Sequence, residues 1–117
     1  MSIQRLRVGP RMSAAVIHGH TIYVAGQVAD KAAGASVAEQ TREVLSIIDG
    51  ILAEAGADKT HLVSTTIYLA DIATFAEMNA VWDAWVAPGH TPARATVEAK
   101  LAAPKYTVEI VCIAAKP

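Results

Sequence analysis

Short apolar runs alternate with turn residues through the first part of the chain. "IQRLRV", "AAVIHG" and "TIYVAGQ" are rich in β-branched or aromatic residues and are broken by Gly9-Pro10 and by the "HGH" turn at His18 to His20. They predict three strands, the last two a hairpin. From Ser36 the period lengthens, with apolar residues at Val37, Val44, Ile47, Ile48, Ile51 and Ala55, which is helical spacing. Ser36 and Glu39 read as a capping box and Gly56 as the stop. "HLVSTTIYLAD" is a strand with a β-branched core, joined to the hairpin through the helix in a β-α-β crossover. A second helix follows, with Thr74 and Glu77 as its capping box and Phe75, Met78, Trp82 and Trp85 on one face, until Pro88-Gly89 end it. "TPARATVEAKLAAPKYTVEI" supplies two final strands.

About six strands and two helices make an α+β domain with too few helices to cover both faces of a sheet. In the last strand Tyr106, Val108, Ile110 and Cys112 point one way and Thr107, Glu109, Val111 and Ile113 the other, so both faces call for burial. The economical second cover is another copy of the same chain, which predicts a homo-oligomer.

Composition narrows the class. The 117 residues suit one domain over 1–117, and the 53% hydrophobic content with only 5% aromatics suits close helix-on-sheet packing. A net charge of -1 with scattered basic residues speaks against a nucleic-acid partner. The lone Cys112 has no intrachain partner, the start "MSIQRLRVGP" is charged where a signal peptide is apolar, and no run reaches membrane-spanning length. A cytoplasmic protein without membrane contact is expected.

The chemistry-bearing residues sit on the final strands. Alternation places Ala93, Ala95, Val97, Ala99 and Leu101 on one face, expected to meet the helices, and Arg94, Thr96, Glu98 and Lys100 on the other, expected to meet another subunit. Arg94 leaves the "PGHTPA" turn where a cleft can open, and a guanidinium binds small carboxylates bidentately. Pairing with Glu98 or Glu109 is an equal reading. Glu109 has apolar sequence neighbours, so it needs a partner or a proton, and such a carboxyl serves either as a general base or in an interface ion pair. Asn79 interrupts the apolar stripe of the second helix, and a bond to a neighbouring loop backbone is its plainest role. Gly26 in "AGQ" allows a bulge or close approach, and Gln27 adds an amide. His18 and His20 lack further ligands nearby and read as turn residues, so no metal is expected. His90 stands four residues before Arg94 and reads as turn surface. The Phe75-Met78-Trp82 stripe reads as core.

Taken together, "IYVAGQVAD", "L-AEAG", "D-x-x-x-F-x-x-M-N", "P-A-R" and the terminal "V-E-I" resemble the reactive intermediate deaminase family, also called YjgF or Rid proteins, over nearly the whole chain. The resemblance implies a chorismate-mutase-like fold in a homotrimer with clefts between subunits. It implies that Arg94 holds the carboxylate of a 2-imino acid and Glu109 positions the attacking water, with Asn79, Ala25, Gly26, Thr96 and Arg11 in the substrate pocket. It implies hydrolysis of the imine to a 2-oxo acid and ammonia with no metal or organic cofactor. Ala25, Thr96 and Arg11 stand where many members carry serine, cysteine and tyrosine, which implies a different substrate, and Arg11 suggests an acidic or bulkier one. A non-catalytic protein that senses a small carboxylate in the same cleft is the alternative, and RNA cleavage is a distant third reading.

Overall fold

The short strands fold into one mixed sheet in a computed structural model that describes residues 2–117. β1 (Ile3–Val8), β2 (Ser13–His18) and β3 (Thr21–Gln27) form an antiparallel meander. α1 (Val37–Glu54) leads to β4 (Leu62–Leu69), α2 (Phe75–Trp85) leads to β5 (Ala93–Glu98), and β6 (Val108–Ala115) follows. Strand order is β1-β2-β3-β6-β4-β5, with β6 antiparallel to both its neighbours and β5 parallel to β4. The crossover from β3 through α1 to β4 is as expected, but β6 is inserted between its two strands. Two β-α-β units thus share one sheet, which is an α+β architecture.

Period-two alternation decides what each face does. One face carries Ile22, Val24, Ile67, Leu69, Ile110 and Cys112, each at most 2% exposed, against Val44, Ile48 and Ile51 of α1 and Met78 of α2. The Cys112 thiol is pushed up to about 12 by burial, so it stays protonated and inert. Both helices lie on this face. The other face has no cover: Tyr23 and Val97 are 47% and 43% exposed, and Tyr68, Val111 and Ile113 are half-buried. Among the described residues no helix is long and apolar enough to cross a membrane.

The helix ends depart from expectation. Ser36 Oγ accepts from Glu39 N at 3.2 Å, yet Glu39 returns no bond to Ser36, so α1 has a side-chain cap and not the reciprocal box. Thr74 does not cap α2 at all. A turn of 3-10 helix, Ile72–Thr74, precedes it and is capped by Asp71 through Ala73 N at 2.9 Å. Glu77 instead accepts from Ala38 N at 3.1 Å, joining the start of α2 to the start of α1. Gly56, at φ 79°, ends α1 as its glycine requires.

One buried amide fixes the loop between β5 and β6. Gln40, fully buried on α1, donates from Nε2 to Lys105 O at 2.9 Å and to Ala35 O at 3.1 Å, while its Oε1 accepts from Thr107 N at 2.9 Å. Gly34 N and Ala70 N donate to Lys105 O and Thr107 O at 2.9 and 3.0 Å. Replacing Gln40 by Leu strands these backbone groups in the interior. Gln40→Leu is expected to lower unfolding free energy by about 2 kcal/mol or more, measured by chemical denaturation; an unchanged midpoint would show that water or loop movement takes over the bonds.

Candidate functional site

Arg94 faces the helices, not the bare side of the sheet. Its register partner is Thr65, which is 2% exposed, and Thr65 in turn pairs with the buried Cys112. The Ala93, Ala95 and Val97 face, expected to meet the helices, is the exposed one. The cause lies on α2. Phe75, Asn79 and Trp82 are spaced three and four residues apart, so they share one helical face over β5. Asn79 Oδ1 accepts from Arg94 Nη1 at 2.8 Å, and the guanidinium carbon stands 5.3 Å from the Trp82 ring centroid and 5.9 Å from that of Phe75. Cation-π contact of this kind contributes about 0.5–1 kcal/mol at a partly open site. Asn79 therefore binds Arg94, and not a loop backbone as expected. Arg94 pairs with neither Glu98, which accepts from Ile72 N at 3.1 Å, nor Glu109.

Around this guanidinium the polar environment is incomplete. Thr96, two residues along the same face, has a buried hydroxyl with no partner, and so has Thr65 beside Arg94. Only one guanidinium nitrogen is engaged, which leaves donors of the planar fork for an anion. Phe75 is 41% exposed and walls the position. Its role was missed because the stripe reads as core; the discriminating signal is that Phe75 and Asn79 stand four residues apart on one face.

Glu109 belongs to the other side of the sheet. It pairs with Tyr68 and alternates with the fully buried Val108 and Ile110. Between Val24 and Gln27, β3 holds one more residue than β6, and Gln27 Nε2 closes the irregularity by donating to Ala25 O at 3.0 Å. Ala25 and Gly26 are half-buried there. A Cβ on Gly26 would lie 2.1 Å from Glu109 Oε2, so only glycine lets this carboxylate lie across β3. The expected partner of Glu109 is absent among the described residues, and its side chain opens into a cavity of about 320 Å³ with Tyr68, Leu101 and Val111. Arg11 is exposed in the turn between β1 and β2, outside the lining of that cavity.

Apart from Arg11, the predicted residues thus form two groups. Arg94, Asn79 and Thr96 lie on the helix-covered face; Glu109, Gly26 and Ala25 lie on the bare one. Val97, the register neighbour of Tyr68, is three residues beyond Arg94, a displacement of roughly 10 Å along the strand direction. One protomer cannot place Arg94 and Glu109 on the same small ligand. A larger cavity, about 490 Å³, lies between α1 and α2, and part of its polar lining is engaged within it. Trp85 Nε1 donates to Asp49 Oδ2 at 2.9 Å, and Lys59 Nζ donates to Trp85 O. It is a helix-helix crevice. His90 Nδ1 lies 3.1 Å from Pro88 O in its exposed turn, and no group of three metal-ligating side chains occurs among the described residues.

Comparison with known proteins shows the family. The family model described as Endoribonuclease L-PSP matches residues 2–116. A structure of a YjgF protein family member from Neisseria meningitidis superposes with a TM-score of 0.96 at 49% identity, covering 100% of this chain and 97% of that one. The chain belongs to the YjgF/Rid family. A RutC family protein of Haemophilus influenzae is 46% identical over 114 residues, 97% of this chain and 98% of that protein. The 2-iminobutanoate/2-iminopropanoate deaminase of Rattus norvegicus is 36% identical over 107 residues, 87% of this chain and 77% of that one. The α+β fold of this YjgF/Rid protein, with its uncovered sheet face, accounts for the separation of the two groups.

Gly26 offers a direct test of the Glu109 placement. Gly26→Ala is expected to leave the fold intact, with a cost of about 1 kcal/mol because a flexible side chain can yield, while displacing the carboxylate. Thermal melting and a crystal structure of the variant check this; an unmoved Glu109 would contradict the close approach.

Proposed function

We propose that the protein is a 2-imino acid or enamine deaminase, acting in a cleft where Arg94 of one copy faces Glu109 of another within a homotrimer. The observation that carries the proposal is the Arg94 guanidinium, oriented by Asn79 and stacked by Trp82 with donors left free. Such a fork suits the carboxylate of a 2-imino acid. The bare apolar face around Tyr23, Val97 and Ile113 supports association of copies. The name of the rat relative supports the reaction class.

The chemistry asks little of the protein. Water adds to the C=N carbon, with Glu109 orienting it and accepting its proton. Starting from the protonated imine, that proton passes to the amine nitrogen of the tetrahedral intermediate; Glu109 then takes the remaining hydroxyl proton as the C–N bond breaks to give the 2-oxo acid, and hands it to the departing ammonia, which leaves as ammonium. Imine and water together balance oxo acid and ammonia, and the imine is already electrophilic. Positioning and charge stabilisation are then the whole contribution. The family description names an endoribonuclease, but a net charge of -1 supplies no field for a polyanion, so RNA cleavage stands well behind.

The test is release of ammonia and 2-oxo acid from imines generated in situ by an amino-acid oxidase. Arg94→Ala is expected to lower kcat/KM about 100-fold, and Glu109→Gln to lower kcat by a similar factor of about 100 with less change in KM. No acceleration by the wild-type protein over spontaneous hydrolysis, with a carboxylate still bound and lost in Arg94→Ala, would replace the enzyme by a carboxylate-binding protein.

A further inference from the structure

The Glu109 cavity has a second charged wall that imine hydrolysis itself does not require. Of its lining residues only Glu109 and Lys100 carry charge, and Tyr68 adds a phenol to a surface otherwise made by Leu101, Val111 and alanines. Neither side chain has an ion-pair partner among the described residues, where the arginine-carboxylate pair is Arg7–Glu54. Lys100 is exposed, but its backbone is held. Ala99 N, immediately before it, donates to Leu69 O at 2.9 Å, and the far end of the same loop is bound to Gln40 and to Ala70. Tyr106 adds a bond to Asp30 at 2.9 Å. These bonds hold the Lys100 backbone beside the cavity, whose mouth its flexible side chain can reach.

An ammonium and a carboxylate that share one small cavity without touching complement a ligand of opposite charge pattern. We infer that Lys100 sets the substrate class, selecting short dicarboxylic 2-imino acids; the inference rests on the deaminase reading. In that arrangement Arg94 of the neighbouring copy takes the carboxylate next to the imine, Glu109 faces the imine carbon and its water, and Lys100 takes the side-chain carboxylate. Arg11, which the resemblance suggested for an acidic substrate, is not among the residues lining this cavity, whereas Lys100 is.

The experiment compares imines of aspartate and glutamate with those of alanine and leucine, each released in situ by a suitable oxidase. Wild type is expected to favour the acidic imines. Lys100→Ala should reduce the ratio of acidic to neutral kcat/KM about tenfold, Lys100→Arg should restore it, and added salt should weaken it. An unchanged ratio in Lys100→Ala, with neutral imines still hydrolysed, overturns the assignment of Lys100 and leaves the deaminase reading intact. Should wild type hydrolyse none of the imines, the deaminase reading fails, and calorimetry with oxaloacetate and pyruvate decides on Lys100 alone. Tighter oxaloacetate binding that Lys100→Ala abolishes supports it, and equal affinities overturn it.

Discussion

Successive residues of a strand point to opposite faces, and here only one face of the sheet is covered. Two helices lie over Ile22, Ile67, Leu69 and Ile110, which become the interior. The candidate positions on the strands inherit their environments from this parity. Arg94 shares the parity of Thr65 and comes under α2; Glu109 shares that of Tyr68 and opens on the uncovered side. A shift of one residue in either strand would exchange these environments and remove apolar side chains from the core.

From that constraint follow the two supports on which a site would be built. Asn79, Trp82 and Phe75 hold a guanidinium whose donors are partly free. The irregularity in β3 and the missing side chain of Gly26 give room to a carboxylate. Each support is local and each is incomplete for chemistry on a carboxylate-bearing imine. The proposed assembly brings the arginine of one copy to the glutamate of the next while covering Tyr23 and Val97, so burial and catalysis are served by the same contact.

The element pattern was largely legible in the sequence, because the strands are short, β-branched and punctuated and the first helix keeps a regular apolar period. Which face of β5 meets the helices was not. Alternation separates Arg94 from Ala95 but does not say which side α2 lies on, and an apolar row suggested the core. The reverse occurs because the Arg94 side chain has a built aromatic and amide environment on α2, whereas small Ala93 and Ala95 leave a flat outer surface. Asn79 was recognised as needing a partner, but that partner is fifteen residues away across two elements. Alternation put Lys100 with Arg94 on one strand face, but β5 ends at Glu98 and the loop that follows sets Lys100 among the residues lining the Glu109 cavity. Gly26 was legible as a site of close approach, though not what approaches it.

The most direct measurement of the central claim is subunit complementation. Arg94→Ala and Glu109→Gln chains, each inactive alone, are mixed, unfolded and refolded together, and assayed for imine hydrolysis. If each cleft takes its arginine and its glutamate from different copies, random mixing should restore about a quarter of the wild-type sites. Recovery near that fraction, with mixed oligomers verified by native mass spectrometry, is the result predicted. Mixed oligomers no more active than either parent would contradict a site divided between copies.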